Sequence, residues 1–176
     1  MSTDAQRARS RSTVRSDPID LARDNWSRAG WEAASDPMGV VTSVMRVHQL
    51  LLAEVERVLR PLNLTFARYE VLMLLHFSRS GQLPVGKIGA RLQVHPASVT
   101  NAVDRLETDG LVERSPHPED GRSVMAAITP AGRELALLAT ENLNTEVFEK
   151  LPMSTAAQGE LLRDLQEIRR SFGDFS

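Results

Sequence analysis

The sequence predicts a mostly α-helical fold that contains one small β-hairpin. Several segments place apolar residues at the three-and-four spacing of an amphipathic helix, and most of them begin at a capping residue. Aromatic residues make up only 5% of the chain, so that aliphatic side chains must build the core, which favours helices over sheets. Two short extended runs, at residues 111–114 and 124–128, flank a turn rich in Pro, Asp and Gly.

The first 35 residues are predicted to contain a tail and an additional helix. Residues 1–16 carry four arginines without apolar periodicity and are expected to be a flexible basic tail. A short helix within residues 17–35 begins at Asp17-Pro18, where a proline occupies the first helical position. It is expected to carry Leu21, Trp26 and Trp31.

A long amphipathic helix is predicted to follow within residues 36–63. Its start signal is Ser35-Asp36-Pro37, which combines a capping side chain with a first-turn proline. Pro61 and Asn63 are expected to end it. The apolar stripe consists of Val41, Val44, Met45, His48, Leu51, Leu52, Val55, Val58 and Leu59.

Residues 64–129 are predicted to hold three helices and the hairpin. The first helix is capped by Thr65 and ends at Phe77; a short one spans residues 85–92; the third begins at His95-Pro96 and ends at Thr108. Gly110 follows the third helix, where a left-handed residue is needed.

The remaining residues are predicted to form two further helices. Thr129-Pro130 starts one that runs to about Lys150, and Pro152 interrupts it. Ser154 caps a final helix whose apolar stripe is Leu161, Leu162, Leu165 and Ile168.

The order helix, short helix, helix, hairpin is that of a winged helix-turn-helix. The third helix can enter a DNA major groove, which is about 12 Å wide. Asn101 can pair bidentately with adenine, and Arg105 can bind guanine or phosphate. Arg122 at the hairpin tip can enter a narrow minor groove. The outward positions of the helix are Ala97, Ser98, Thr100, Asn101, Asp104 and Arg105.

Residues 64–132 resemble the MarR family of bacterial transcription regulators. The resemblance lies in VLMLLHFSRSG, in IGARLQVHPASVTNAVDRLETDGLVERS and in PEDGRSVMAAITPAGR, which holds the Asp-x-Arg and Thr-x-x-Gly motifs of the wing. It implies a repressor that dimerises through residues 36–63 and 130–172 and binds a pseudo-palindromic duplex. It also implies that Arg122 is the minor-groove arginine and that Asp120 supports the wing against Arg114.

Two residues depart from the family pattern. His95 stands where Ser, Thr or Asp usually caps the recognition helix. Asp104 adds an acid beside the base-reading positions, so it must point away from phosphate or pair with Arg105 or Arg91. These departures leave the set of base contacts open.

A small-molecule effector is a further expectation, with an aromatic acid or another organic anion as the candidate class. A subgroup of the family that senses urate carries a Trp on an added helix, an acid and an Arg, and Trp26, Glu70 and Arg114 occupy comparable places. Asn101 replaces the subgroup's further arginine. Alternatively, Trp26 and Trp31 only attach the extra helix to a dimer core, and His48 is a core or interface histidine.

Composition excludes several classes of function. Without cysteine the chain has no disulfide and no thiol nucleophile, and its four scattered histidines have no metal-ligand spacing. It lacks the G-x-S-x-G and glycine-rich phosphate motifs, so we expect neither an enzyme nor a resident cofactor. The longest apolar run, Val71–Leu75, is far shorter than the roughly 20 residues that span a bilayer, so a cytoplasmic location is expected.

A net charge of −2 argues, taken alone, against a nucleic-acid partner. The charge is unevenly distributed: residues 84–133 hold six basic and six acidic side chains, whereas residues 134–176 hold four and eight. The basic tail is either solvated or a phosphate-tracking arm. A winged helix that binds a partner protein instead of DNA is the alternative function.

Overall fold

A computed structural model describes residues 16–92, 95–120 and 123–175. The predicted basic tail, residues 1–16, lies outside the described residues except for Ser16. The chain divides after Ala53 into two compact units. Helix α1 (Pro18–Arg28) and most of α2 (Glu32–Leu59) belong to the first unit. None of the described helices has the length and hydropathy that a membrane span requires.

The second unit contains the predicted three helices, the hairpin and the two final helices. The predicted fold class, mostly helical with a small β-hairpin, is confirmed. The elements are α3 (Phe66–Phe77), β1 (Gln82–Pro84), α4 (Val85–Leu92), α5 (Pro96–Thr108), β2 (Val112–Pro116), β3 (Val124–Ile128), α6 (Pro130–Leu143) and α7 (Thr155–Ser171), with a 3-10 turn at Arg60–Leu62 and a π-helical turn at Asn144–Phe148.

Helix α2 begins earlier than the sequence predicts. It starts at Glu32 and contains Pro37, so the predicted start at Ser35-Asp36-Pro37 is wrong. The Ser35 hydroxyl is used to donate to the carbonyl oxygen of Arg23, at 2.9 Å, and Asp36 accepts from the Arg23 guanidinium at 2.5 Å. Contacts with α1 thus occupy both candidate capping side chains, and the helix runs through Pro37, which cannot donate a backbone hydrogen bond.

The tryptophans of the first unit are also placed differently. Helix α1 ends at Arg28, so Trp31 lies outside it. The two indole rings meet edge to face, with 5.4 Å between the centroids of Trp26 and Trp31. Helix α1 approaches α2 closely at Gly39, where a Cβ would lie 2.6 Å from Cδ of Arg23. The aromatic pair and the Arg23 contacts therefore organise the first unit.

The sheet has one strand more than predicted. Strands β2 and β3 form the predicted antiparallel hairpin, and β1 pairs with the other edge of β3, giving the order β1-β3-β2. Leu83 and Arg114 lie opposite Ala126 on its two sides. Three residues are too few to show an alternating pattern, so β1 is recognisable only from its pairing.

The core of the second unit lies under α5. Val103 and Leu106 of α5 are fully buried and pack in one apolar cluster with Leu72, Ile88 and Leu143 of the neighbouring helices. Val112 of β2 and Ala126 of β3 belong to the same cluster. Helix α5 is therefore held by its buried face, which leaves the opposite face to solvent.

The Thr-x-x-Gly motif joins α5, the hairpin and α6. The Thr129 hydroxyl donates to the carbonyl oxygen of Gly110 at 2.9 Å and accepts from the N–H of Gly132 at 3.0 Å. A Cβ at Gly132 would lie 2.1 Å from the carbonyl oxygen of Leu111, so only glycine fits there. Helix α6 then ends at Leu143, earlier than predicted, and continues as the π-helical turn.

We expect Gly132→Ala to destabilise the chain by about 1–3 kcal/mol or more, because the added methyl overlaps backbone that cannot move independently. The control is Gly159→Ala on α7, where a Cβ would have no atom within 4 Å. That change should stabilise by roughly 0.5–1 kcal/mol through helix propensity. Urea unfolding measures both. Equal effects of the two substitutions would contradict the close approach at Gly132.

Candidate nucleic-acid interface

The exposed face of α5 carries the polar residues that the sequence singles out. Ala97, Ser98, Thr100, Asn101 and Arg105 are all exposed, whereas Val99, Val103 and Leu106 are buried on the other side. The predicted division of this helix into a buried and an outward face is therefore confirmed.

His95 acts as the N-cap of α5. Its Nδ1 accepts a hydrogen bond from the N–H of Ala97 at 3.2 Å, and its backbone has an extended ψ of 138°. Accepting this bond requires an unprotonated Nδ1. The histidine therefore supplies the cap that Ser, Thr or Asp supplies elsewhere, and the fold is kept despite the departure from the family pattern.

A surface groove of about 590 Å³ runs beside α5. Ser98, Asn101 and Arg105 line one side, and the start of α3 lines the other with Thr65 and Arg68. Arg68 Nη1 lies 3.3 Å from Oδ2 of Asp109, the residue that follows α5. Neither Arg68 nor Asp109 is among the predicted site residues, because 41 positions separate them and no local sequence pattern relates them.

Arg114 contacts α5 instead of the predicted Asp120. Its Nη2 lies 2.5 Å from Oδ1 of Asp104, and its Nε lies 3.6 Å from Oε2 of Glu107. Nη2 also donates to the carbonyl oxygen of Thr100 at 3.4 Å. Residues 100, 104 and 107 share one helical stripe, so a single guanidinium reaches all three. Asp104 therefore pairs with Arg114 and with neither predicted partner.

Asp120 supports the wing through Ser123. Its Oδ2 accepts from the Ser123 hydroxyl at 2.6 Å, and its carbonyl oxygen accepts from the Ser123 N–H at 2.9 Å. His117 contributes a second local bond, because its Nδ1 accepts from the N–H of Glu119 at 3.2 Å. Arg122, the predicted minor-groove arginine, lies outside the described residues.

Two of the four residues of the predicted ligand pocket, Glu70 and Arg114, line different cavities of the second unit. Glu70 lines a cavity of about 30 Å³ among side chains of α3, α4 and α5. Arg114 lines a different one, of about 340 Å³, with Thr100 and Ser123. Trp26 and His48 belong to the first unit, and His48 is exposed, so it is not a core histidine of this chain.

His76 is half-buried and is paired with an arginine. His76 accepts a hydrogen bond at Nδ1 from Nη1 of Arg133, at 2.9 Å. Within residues 16–92, 95–120 and 123–175, no group of three or more His, Cys, Asp or Glu side chains is placed to hold a metal ion. The candidate functional groups are therefore those around α5 and the hairpin.

Glu70 makes the stability of the chain depend on pH. Burial among apolar side chains raises the pKa of the Glu70 carboxyl above its usual range. A raised pKa in the folded chain means that ionisation disfavours folding, so stability is lost as pH rises through that pKa. We expect Glu70→Gln to raise the urea midpoint at pH 7, and the gain to disappear as pH falls towards about 4.3, the ordinary pKa of Glu.

Glu113→Gln is the matched control, because Glu113 is exposed on β2. It should leave the urea midpoint nearly unchanged over the same pH range. A gain at Glu70 that stays constant with pH would show that ionisation of this carboxyl does not affect stability.

The chain is similar in sequence to known transcriptional regulators. The MarR family profile matches residues 64–124. The chain is 31% identical over 122 residues to the HTH-type transcriptional repressor Rv2887 of Mycobacterium tuberculosis, an alignment that covers 69% of this chain and 85% of the relative.

Solved structures agree with this match. Sco5413, a MarR family transcriptional regulator from Streptomyces coelicolor, is 48% identical with a TM-score of 0.73, over 80% of this chain and 98% of that one. Sco3205 from the same organism, solved in complex with DNA, is 27% identical with a TM-score of 0.61, over 73% and 84%. The exposed helix, its wing and these similarities lead to one conclusion: the chain belongs to the MarR family of transcriptional regulators.

Proposed function

We propose that this protein is a repressor that binds a pseudo-palindromic DNA operator as a homodimer. The observation that carries the proposal is the position of α5, whose polar face is exposed while its apolar face is held in the core beside the hairpin. A helix presented in this way fits the major groove. Its place of action is then the cytoplasm, where bacterial operators lie.

The outward residues of α5 other than Asp104 each have a role in this proposal. Asn101 pairs with adenine through its amide, and Arg105 binds guanine or a phosphate. Ser98 and Thr100 donate hydroxyl hydrogen bonds to phosphates or bases, and Ala97 lies where only a small side chain allows close approach. Arg122, which stands between β2 and β3 in the sequence, enters the minor groove.

Two relatives support binding to DNA and repression. Sco3205 was solved in complex with DNA, and Rv2887 is described as a repressor. The alternative, a winged helix that binds a partner protein, lacks a comparable observation. The two differ in salt dependence, because only DNA binding releases condensed counterions in proportion to the phosphates contacted.

Exposed apolar side chains support a homodimer. On the first unit, α2 exposes Val41, Val44 and Met45 within one face, each at 44% or more. On the second, α7 exposes Leu161 and Leu162, with Phe172 just beyond its end. Apolar surface of this extent favours association, and a second copy with the same surface gives a closed two-fold dimer. Two copies of α5 about 34–36 Å apart would then reach successive major grooves.

The proposal is tested by fluorescence anisotropy with a duplex selected from random DNA. We expect two chains per duplex, steep salt dependence, and a slope reduced by about 1 per protomer in Arg122→Ala. Asn101→Ala should relax base preference at one position of each half-site.

Arg163→Ala on α7 is the control, because it removes the same charge outside α5 and the hairpin. It should preserve affinity for the selected duplex. Binding that is insensitive to salt, or an unchanged slope in Arg122→Ala, would favour the protein-interaction alternative.

We further propose that a small organic anion, such as an aromatic acid, acts as an effector. The cavity beside Arg114 supports this, since it combines a guanidinium with the hydroxyls of Thr100 and Ser123 and the apolar Val85 and Val124. An anion that bound Arg114 would compete with Asp104, returning a negative charge to α5. Binding that favours the DNA-free state releases the operator.

Benzoate is the probe for this proposal. At saturating concentration it should weaken operator binding by about 5- to 150-fold, the usual range for allosteric coupling. Acetate at equal ionic strength is the control for general salt effects. If benzoate and related aromatic acids change affinity no more than acetate does, an anionic effector of this class is excluded.

A further inference from the structure

Three acids, two in the C-terminal half of α5 and one directly after it, are paired with arginines from other elements. Arg114 of β2 contacts Asp104 and Glu107, and Arg68 of α3 contacts Asp109. The two arginines are the better buried partners, with side chains 24% and 15% exposed. Their positions are therefore set by packing, while the carboxylates extend from the helix to meet them.

Arg105 has acids close to it in sequence, yet it pairs with none of them. Asp109 lies four positions later on the same helical stripe, the spacing at which Asp and Arg usually form an ion pair. Among the described residues, however, no carboxylate lies within 4.0 Å of Arg105, and its side chain is exposed. Asp109, Arg68 and Arg105 all line the same groove. Arg68 forms the ion pair with Asp109 that Arg105 would otherwise form.

We propose that Arg68 and Arg114 are positioning residues: Arg68 holds Asp109 and so leaves Arg105 available to DNA, and Arg114 pairs with Asp104 and Glu107, which would otherwise repel phosphate. This inference rests on the proposed function, since it assumes that α5 binds DNA. The region from 84 to 133 holds as many acidic as basic side chains, so it attracts DNA only if the basic side chains face the DNA and the acidic ones are paired elsewhere. Because Asp104 and Glu107 are paired with Arg114, they repel phosphate less. Because Asp109 is paired with Arg68, it does not compete with DNA for Arg105.

The first test uses Arg68→Met and the double variant Arg68→Met/Asp109→Asn with the selected duplex. Arg68→Met frees Asp109 to pair with Arg105, so affinity should fall by about ten-fold and the salt slope by about 1 per protomer. The double variant removes the competing acid and should recover both affinity and slope. In an Arg105→Ala background, Arg68→Met should have little further effect, because it acts through Arg105.

The second test applies the same logic to β2. Arg114→Met should weaken binding, and adding Asp104→Asn and Glu107→Gln should restore it. Urea unfolding of every variant separates loss of affinity from loss of the fold. The single variant Asp109→Asn removes the acid and leaves Arg68 in place. It should bind the duplex at least two-fold more tightly, because it removes a negative charge near phosphate.

Three results would overturn the inference. An unchanged affinity in Arg68→Met would show that Asp109 does not compete for Arg105. A double variant as weak as Arg68→Met, with the same reduced slope, would show that Arg68 contacts DNA itself. Weaker binding by Asp109→Asn would show that this acid helps DNA binding. Failure of the unmodified chain to bind any selected duplex is a different result, which contradicts the proposed function instead.

Discussion

Three segments of the second unit meet at the hydroxyl of Thr129. Its two hydrogen bonds join Gly110, just after α5, to Gly132, in the first turn of α6. Because Gly132 has no side chain, the first turn of α6 reaches the carbonyl oxygen of Leu111, where the hairpin begins. The end of α5 and both ends of the hairpin are thus held at one point. Any role that uses α5 together with the wing depends on this junction, which acts together with the core packing of Val112 and Ala126 and with the contacts between Arg114 and α5.

Electrostatics complements this rigid arrangement. A chain with a net charge of −2 has no general attraction for DNA, and the balanced region from 84 to 133 adds none. The structure separates the charges in space: the half-buried side chains of Arg68 and Arg114 pair with the acids, and Arg105 stays exposed. A few exposed basic side chains can then attract DNA although the net charge of the chain is negative. Such a surface depends strongly on single residues, because no excess of basic side chains compensates for a loss.

The N-terminal unit illustrates how tertiary contacts overrule a local signal. Ser35, Asp36 and Pro37 form a good helix start, and an isolated peptide with this sequence would be expected to begin there. In the folded unit, Arg23 of α1 binds the two capping side chains, and the helix extends back to Glu32. The apolar face of α2 remains exposed, so the unit covers little of its own hydrophobic surface.

The sequence by itself determined the hairpin of the second unit, the presence of its helices and the buried face of α5. The cap at Thr65, the left-handed Gly110, with φ of 70°, and the Thr129-Pro130 start act within a few residues, so a local pattern reveals them. The stripe Val99, Val103 and Leu106 likewise predicts which side of α5 is buried. The tertiary structure alone decided the partners of Arg114 and Arg68, the pairing of β1, and the separation of Glu70 from Arg114 into different cavities. These depend on contacts between segments far apart in the chain, where the position of a long side chain is chosen by packing and charge instead of by its neighbours in sequence.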